Sequence, residues 1–560
     1  NNGGTIQVEA GTLRFHKSSS FNGGTYAVTS GATLAFYESG QVYTVSGTLL
    51  GTLNGTFMLS NGTMTVASGG ATFAMGGNGF RFERGTINGS GTLTNTGTFR
   101  ITGTGFKYLS GATLANQGTV THTGGNFRLD NGGTINNSGT FDAAGDYSVS
   151  DNGGAAARQF INTGTFKKTS GTLTGSVYVP FTNSGGTVQV DVGTLRFRKS
   201  SSFNGGTYTV ASGKVLIFSE GDQTHTVSGT LSGTISGTIK VDAATLTVAS
   251  GGATFAFGGN GFTFESGTIN GSGTLTNTGP FRITGTNYKY LSGTTLVNQN
   301  TISQSGGNFY LQNGATLTNS GTYDLTTDGG VSLGTGAVPT FTNTGTFRKS
   351  SGSLTSSVYV PFTNSGGTVQ VDSGTLRFRK SSSFNGGTYT VASGKVLIFS
   401  EGDQTHTVSG TLSGTISGTI KVDAATLTVA SGGATFAFGG NGFTFESGTI
   451  NGSGTLTNTG PFRITGTNYK YLSEVTLANQ GTVTYTGERI YLQNGATINN
   501  SGTFDLATNA EISSSTGSGT VSNSGTFRKS SGTSTSEISV PFDNGSSGTI
   551  DVQTGTLYLS

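Results

Sequence analysis

Cysteine and tryptophan are absent from this chain of 560 residues, and only 6 are proline. Zero cysteine excludes disulfides and thiolate metal sites. Charge is scarce: 10% of residues carry one, with 29 Lys and Arg against 26 Asp and Glu. The resulting +3, spread over this length, offers no broad basic field for nucleic acid. Long apolar runs are missing too. The longest purely aliphatic and aromatic one, Val215 to Phe218, falls far below a membrane span. No basic segment followed by an apolar stretch opens the chain, so no secretory signal is read there. No apolar stripe of helical period is found, which predicts almost no helix.

Glycine supplies 97 residues and phenylalanine 37. So much glycine with Ser, Thr and Asn has the composition of a disordered chain. The apolar residues argue otherwise. They alternate with polar ones in TLRFRKSSSF and GNFRLDNG, the period of a half-buried strand.

Two repeats are nested. YVPFTN occurs at 178–183 and at 359–364, a step of 181, and 206–292 is identical to 387–473. The long repeats are read as 1–182, 183–363 and 364–543, with 544–560 beginning a fourth. The first and last stretches share one phase of the repeat and carry no cap. That is expected of a piece cut from a longer array, or of a chain that stacks end to end on further copies.

The short repeat follows an asparagine placed ahead of Gly-Thr and an apolar residue. It marks Asn95, Asn116, Asn137, Asn162, Asn183 and Asn204, then Asn277, Asn298, Asn319, Asn343, Asn364 and Asn385. Asn458, Asn479, Asn500, Asn523 and Asn544 follow, while Asn1 and Asn22 begin the series. Most steps are 21 residues, and three gaps of 73 follow Asn22, Asn204 and Asn385. A period near 22 with strand alternation predicts an all-β chain: a parallel β-solenoid of about 25 coils of roughly 22 residues. One long repeat is then about eight coils, and each gap holds about three coils without an Asn. Coils stacked about 4.8 Å apart would make a rod of roughly 120 Å. The Asn side chains would form a hydrogen-bonded ladder. The Gly after each Asn is expected to take a positive φ. Phe99, Phe141 and Phe166 are expected inside, as an aromatic ladder.

Phrases such as LTNTGTF and LANQGTV resemble the coils of filamentous-haemagglutinin-type and autotransporter-type bacterial adhesins. The resemblance implies a parallel β-helix, an extracellular or cell-surface location and an adhesive or structural role. The lack of cysteine fits such an exported protein.

Candidate chemistry is thin. SEGDQTH at 219–225, repeated at 400–406, offers Glu220, Asp222 and His225 for acid–base work or metal binding. The first copy has Gly40 and Tyr43 in place of Asp222 and His225, so a solvated loop is the preferred reading. GGNGFTFESG at 258–267 carries Glu265, with counterparts Glu83 and Glu446, but Phe262 stands where a calcium repeat needs Asp. The basic residues Lys167, Lys168, Arg196, Arg198, Lys199, Arg348, Lys349, Arg377, Arg379, Lys380, Arg528 and Lys529 are read as outward positions that keep the chain soluble. The expected function is a stalk, filament or adhesive segment with no catalytic site, cofactor or metal. Its expected partners are further copies of the repeat and cell-surface glycans, not nucleic acid. A glycan-binding or polysaccharide-cleaving β-helix is the alternative.

Overall fold

A computed structural model describes residues 1–153 and 156–560. The chain is a parallel β-solenoid, and the described residues form 68 strands and no helix. It divides into two compact units, Asn1–Phe281 and Arg282–Ser560.

Three short strands make one coil. Thr92–Asn95, Thr98–Ile101 and Lys107–Ser110 pair in parallel with Thr113–Asn116, Thr119–His122 and Phe127–Asp130 of the next coil. The strands are four residues long because the alternation TLTN, TFRI and KYLS puts two side chains inside before a corner is reached. Leu93 and Asn95 point inward from the first side, Phe99 and Ile101 from the second, Lys107 and Leu109 from the third. The expected aromatic core is present: Phe99, Phe141 and Phe166 are fully buried. Their column also contains Phe80 and Val120. Its rings tilt against one another, with Phe80–Phe99 and Phe141–Phe166 centroids at 5.4 and 5.7 Å.

The positive φ expected of the Gly after the Asn is found at Gly185 and Gly366, after Asn183 and Asn364, but most inner rungs use glycine for another reason. Gly97, Gly118, Gly139 and Gly164 are not among the positive-φ residues. A Cβ on Gly118, Gly139 or Gly164 would instead meet the carbonyl oxygen of the preceding glycine at 2.1–2.2 Å. At these three positions the corners stack so closely that only hydrogen fits, whereas Asn300 takes the equivalent place after Asn298.

The 73-residue gaps are built differently. Here corners flatten and sides fuse into long strands, such as Ser202–Val210, Thr224–Ile235 and Ala244–Gly259. Register slips after Asn204 and after Val227 absorb the extra residues. These slips change the phase of the coil. Asn95, Asn116, Asn137, Asn162, Asn183, Phe203, Val227, Val248 and Gly271 are successive partners in one column. Eight coils therefore carry Asn95 to Gly271, which lies six residues short of Asn277. The column of Asn277 runs back instead through Phe255 and Leu231 to Gly206. The same happens in the second unit, where the Asn364 column continues through Phe384, Val408 and Val429 while Asn458 lies over Phe436. A long repeat is thus eight coils plus about one side. The gaps do not interrupt one ladder. One ladder ends and another begins on the next side.

Candidate functional site

The asparagines are the most ordered polar feature. Asn95 Nδ2 donates to Asn116 Oδ1 at 2.7 Å, Asn116 to Asn137 at 2.6 Å, Asn137 to Asn162 at 2.7 Å and Asn162 to Asn183 at 2.7 Å. The second amide hydrogen reaches a backbone carbonyl, as from Asn116 to Thr140 and Asn137 to Thr165. In the second unit the steps are Asn298 to Asn319, Asn343 and Asn364 at 2.7–2.8 Å. Asn458 to Asn479, Asn500, Asn523 and Asn544 repeats them at 2.7–2.8 Å. Each of these rungs donates toward the later coil. The chains of amides are therefore polar, with oxygen at the start and N–H at the end. The starting oxygens of Asn95 and Asn458 are buried without a protein partner, over Phe73 and Phe436. Two ladders end on a tyrosine: Asn183 donates to Tyr208 Oη and Asn364 to Tyr389 Oη, both at 3.1 Å. Asn277 is buried over Phe255.

Asn204 and Asn385, expected in the ladder, are not in it. Asn183 pairs with Phe203 and Asn364 with Phe384, so Asn204 and Asn385 face solvent. Each accepts from a serine, Ser228 or Ser409, at 3.0 Å. Asn22 is likewise exposed beside the buried Phe21. The apolar ring takes the inward slot, and a one-residue slip turns the neighbouring amide outward.

The acidic and histidine candidates are not brought together. His225 is buried between Phe203 and Phe218, with ring centroids at 6.1 and 5.8 Å. Glu220 lies outside in an ion pair with Arg198 and at a φ of 87°. Asp222 is exposed. The wall of the coil separates base from acids. Glu265 pairs with Lys240, Glu446 with Lys421 and Glu83 with Arg81. An open groove along Gln480, Asn499, Ser501, Ser522 and Ser524 holds one carboxylate, Asp543. Glycoside hydrolysis ordinarily needs two. Among the described residues no three His, Asp or Glu converge on a metal position.

The basic residues divide. Arg198 and Arg379 are outward, as expected, paired with Glu220 and Glu401. Arg348 reaches Asp324 at 2.7 Å and Arg528 reaches Asp505 at 2.8 Å. Lys168, Lys349 and Lys529, however, are wholly buried, so the outward reading of these three is corrected. Lys168 Nζ binds Gly145 O at 2.7 Å, Ser170 O at 2.8 Å and Asp146 Oδ1 at 2.9 Å. Three further lysines close another corner from inside: Lys107, Lys289 and Lys470 are also fully buried. Lys107 donates to Gly103 O and Gly105 O at 2.8 Å, and burial lowers its ammonium to about 8. Parity held the signal. In TFKK, Phe166 points inward, so Lys168 two residues on must do the same. The glycine carbonyls that receive these ammonium groups leave no such mark.

Buried histidines set a pH dependence. Burial pushes His122 and His225 down to about 4 and lowers His406 as well. An unfolded chain protonates histidine near about 6.5. As pH falls from there toward 4, the unfolded state binds protons that the folded state refuses, so stability falls. Below 4 these groups contribute no further slope. Gln304 and Tyr43 occupy the equivalent positions in other copies. His122→Gln with His225→Tyr and His406→Tyr should therefore flatten the melting profile between pH 6.5 and 4.5, where the parent loses several degrees. Parallel profiles for the two proteins would refute the assignment.

Comparison with protein-family models, curated proteins and solved structures finds no match for this chain.

Proposed function

We propose that this chain is a structural, length-building segment of an exported bacterial surface protein, of stalk or filament type. The observation that carries this reading is how the polar groups are spent. Buried amides pair with amides one coil away, buried ammonium groups bind corner oxygens, and outward charges pair across neighbouring coils. Such interactions hold each coil to its neighbours and leave no unique centre, so units add without loss of function. The identity of 206–292 with 387–473 suits a module copied for reach. The cysteine-free composition and the adhesin-like Asn-x-Gly coils support the exported setting.

Deletion of 183–363 tests this reading. It joins equivalent positions and removes about eight coils, roughly 40 Å of stacking. The shortened chain should keep its strand-type circular dichroism, and its maximum dimension in small-angle scattering should fall by about that length. Incubation of the parent with acidic and neutral polysaccharides should release no oligosaccharide. Unfolding of the deletion, or released sugars, would overturn the proposal.

A further inference from the structure

Six tyrosines of the second unit form two outward sets. In NYKYLS at 287–292, Lys289 and Leu291 are buried, which turns Tyr288 and Tyr290 outward. Tyr310 pairs with Tyr290 one coil on. Ring centroids lie 5.5 Å apart for Tyr290–Tyr310 and 5.6 Å for Tyr288–Tyr310, and Tyr288 is 65% exposed. Tyr469, Tyr471 and Tyr491 repeat the arrangement at 5.4 and 5.5 Å, with Tyr469 55% exposed. Beside this second set runs a column of amide and hydroxyl side chains, Asn451, Ser473 and Gln493. In the second set Arg489 lies 5.5 Å from the Tyr491 ring centroid, donates to its hydroxyl at 3.0 Å and pairs with Glu511. Clustered aromatic side chains facing solvent mark a contact surface, whereas single exposed leucines such as Leu173 do not.

We propose that these tyrosine strips bind neutral polysaccharide. A pyranose ring has an apolar C–H face and a rim of hydroxyls. The first can lie against an exposed tyrosine, and the second can pair with the neighbouring amides and serines, the combination of apolar body and polar rim that tyrosine surfaces serve. Arg489, already paired with Glu511, offers an acidic polymer no free charge at the second set. In the first unit Arg128 lies closer over its ring, 4.4 Å from the Phe106 centroid, and covers that face more fully than Arg489 covers Tyr491.

The phase of the coil separates the two strips. The column of Lys289 and Phe309 passes through Val331, Val358, Phe378, Phe399, Val422 and Phe445 to Ile464, not to Lys470. The strips therefore stand on different sides, about eight coils apart, and engage separate stretches of polymer. The unit is bivalent and cross-links chains.

Affinity electrophoresis of the full chain in gels containing hydroxyethylcellulose, xylan, mannan or heparin tests the proposal. At least one neutral polymer should retard the protein, and heparin should not. Tyrosine emission, readable because the chain has no tryptophan, should change on titration with the same polymer. A Tyr288→Ser, Tyr310→Ser, Tyr469→Ser, Tyr491→Ser variant should lose at least about tenfold in affinity, as when aromatic anchors are removed. The single variants Tyr288→Ser and Tyr469→Ser alter rings more than half exposed and should each weaken binding with the fold intact. No retardation by any neutral polymer, retention by heparin alone, unchanged affinity in the variants, or loss of self-association instead of sugar binding would overturn it. The structural role stands apart from this result: strips that fail to bind leave it untouched, and only released sugar or a collapsed deletion removes it.

Discussion

Lys349→Met is expected to lower the stability of its own coils by about 3 kcal/mol, the scale of removing one partner from a buried charged network. Lys349 Nζ holds Asp328 Oδ1 at 2.9 Å, Ser351 O and Ser356 Oγ at 3.0 Å and Thr327 O at 3.1 Å. Methionine fills the same volume but donates nothing, so several oxygens at one corner lose their partner together. Because each coil touches only its neighbours, the loss should stay local. Hydrogen exchange should quicken in Thr346–Lys349 and Thr355–Val358 and remain unchanged several coils away. Lys529 provides an internal control. Asn509 stands where Asp328 does, and Lys529 binds only neutral oxygens, at 3.0–3.4 Å. Burial without a carboxylate lowers its ammonium below the ordinary lysine range. Lys529→Met should then cost less than Lys349→Met, and Asn509→Asp should stabilise its corner. Equal costs for the two lysines would show that the carboxylate adds nothing.

The period, the strand class and the role of most asparagines were legible because each depends on spacing within a coil. A step of 21 puts Asn116 over Asn95 where no bulkier apolar neighbour takes the inward slot. Three things depend on structure between coils and were not legible in the same way. The face of Asn204 turns on one residue of register: Phe203 competes for the same inward slot, and burying a phenyl ring outweighs one amide hydrogen bond. The inward lysines could be inferred from parity, yet their acceptors are backbone oxygens at corners whose geometry no residue type announces. The phase shift is set by the slips at 204–206 and 227–229, so the 73-residue gap looked like three silent coils of one column. The tyrosine sets leave no mark of their own, because outward positions of the alternation carry charged, polar and aromatic residues alike. In NYKYLS the residues that matter for binding are the ones left outside.

Asn319→Leu, in the middle of an amide ladder, is expected to cost about 3–5 kcal/mol, if each orphaned buried group costs about 1–3 kcal/mol. Asn319 accepts from Asn298 at 2.7 Å and donates to Asn343 Oδ1 at 2.7 Å and Thr346 O at 2.9 Å. Leucine strands the oxygens of Asn343 and Thr346 and takes one acceptor from Asn298. Exchange should quicken in Thr295–Asn298 and Thr340–Asn343, the strands on either side. Asn385→Ser, at an exposed asparagine outside the ladder, should stay within about 0.5 kcal/mol of the parent. Ladder polarity makes a sharper demand. Asn319→Asp keeps the acceptor that Asn298 needs but points a carboxylate at Asn343 Oδ1 and Thr346 O, so it should cost at least as much as leucine. Asn544→Asp sits at the donor end, where the side chain accepts from Asn523 at 2.7 Å, is exposed and gives only one bond, to Gly548 O at 3.0 Å. It should be nearly silent. Similar costs for Asn319→Asp and Asn544→Asp would mean that the amides do not run in one direction, and that stacking of the corners, not the relay of N–H to oxygen, holds the column together.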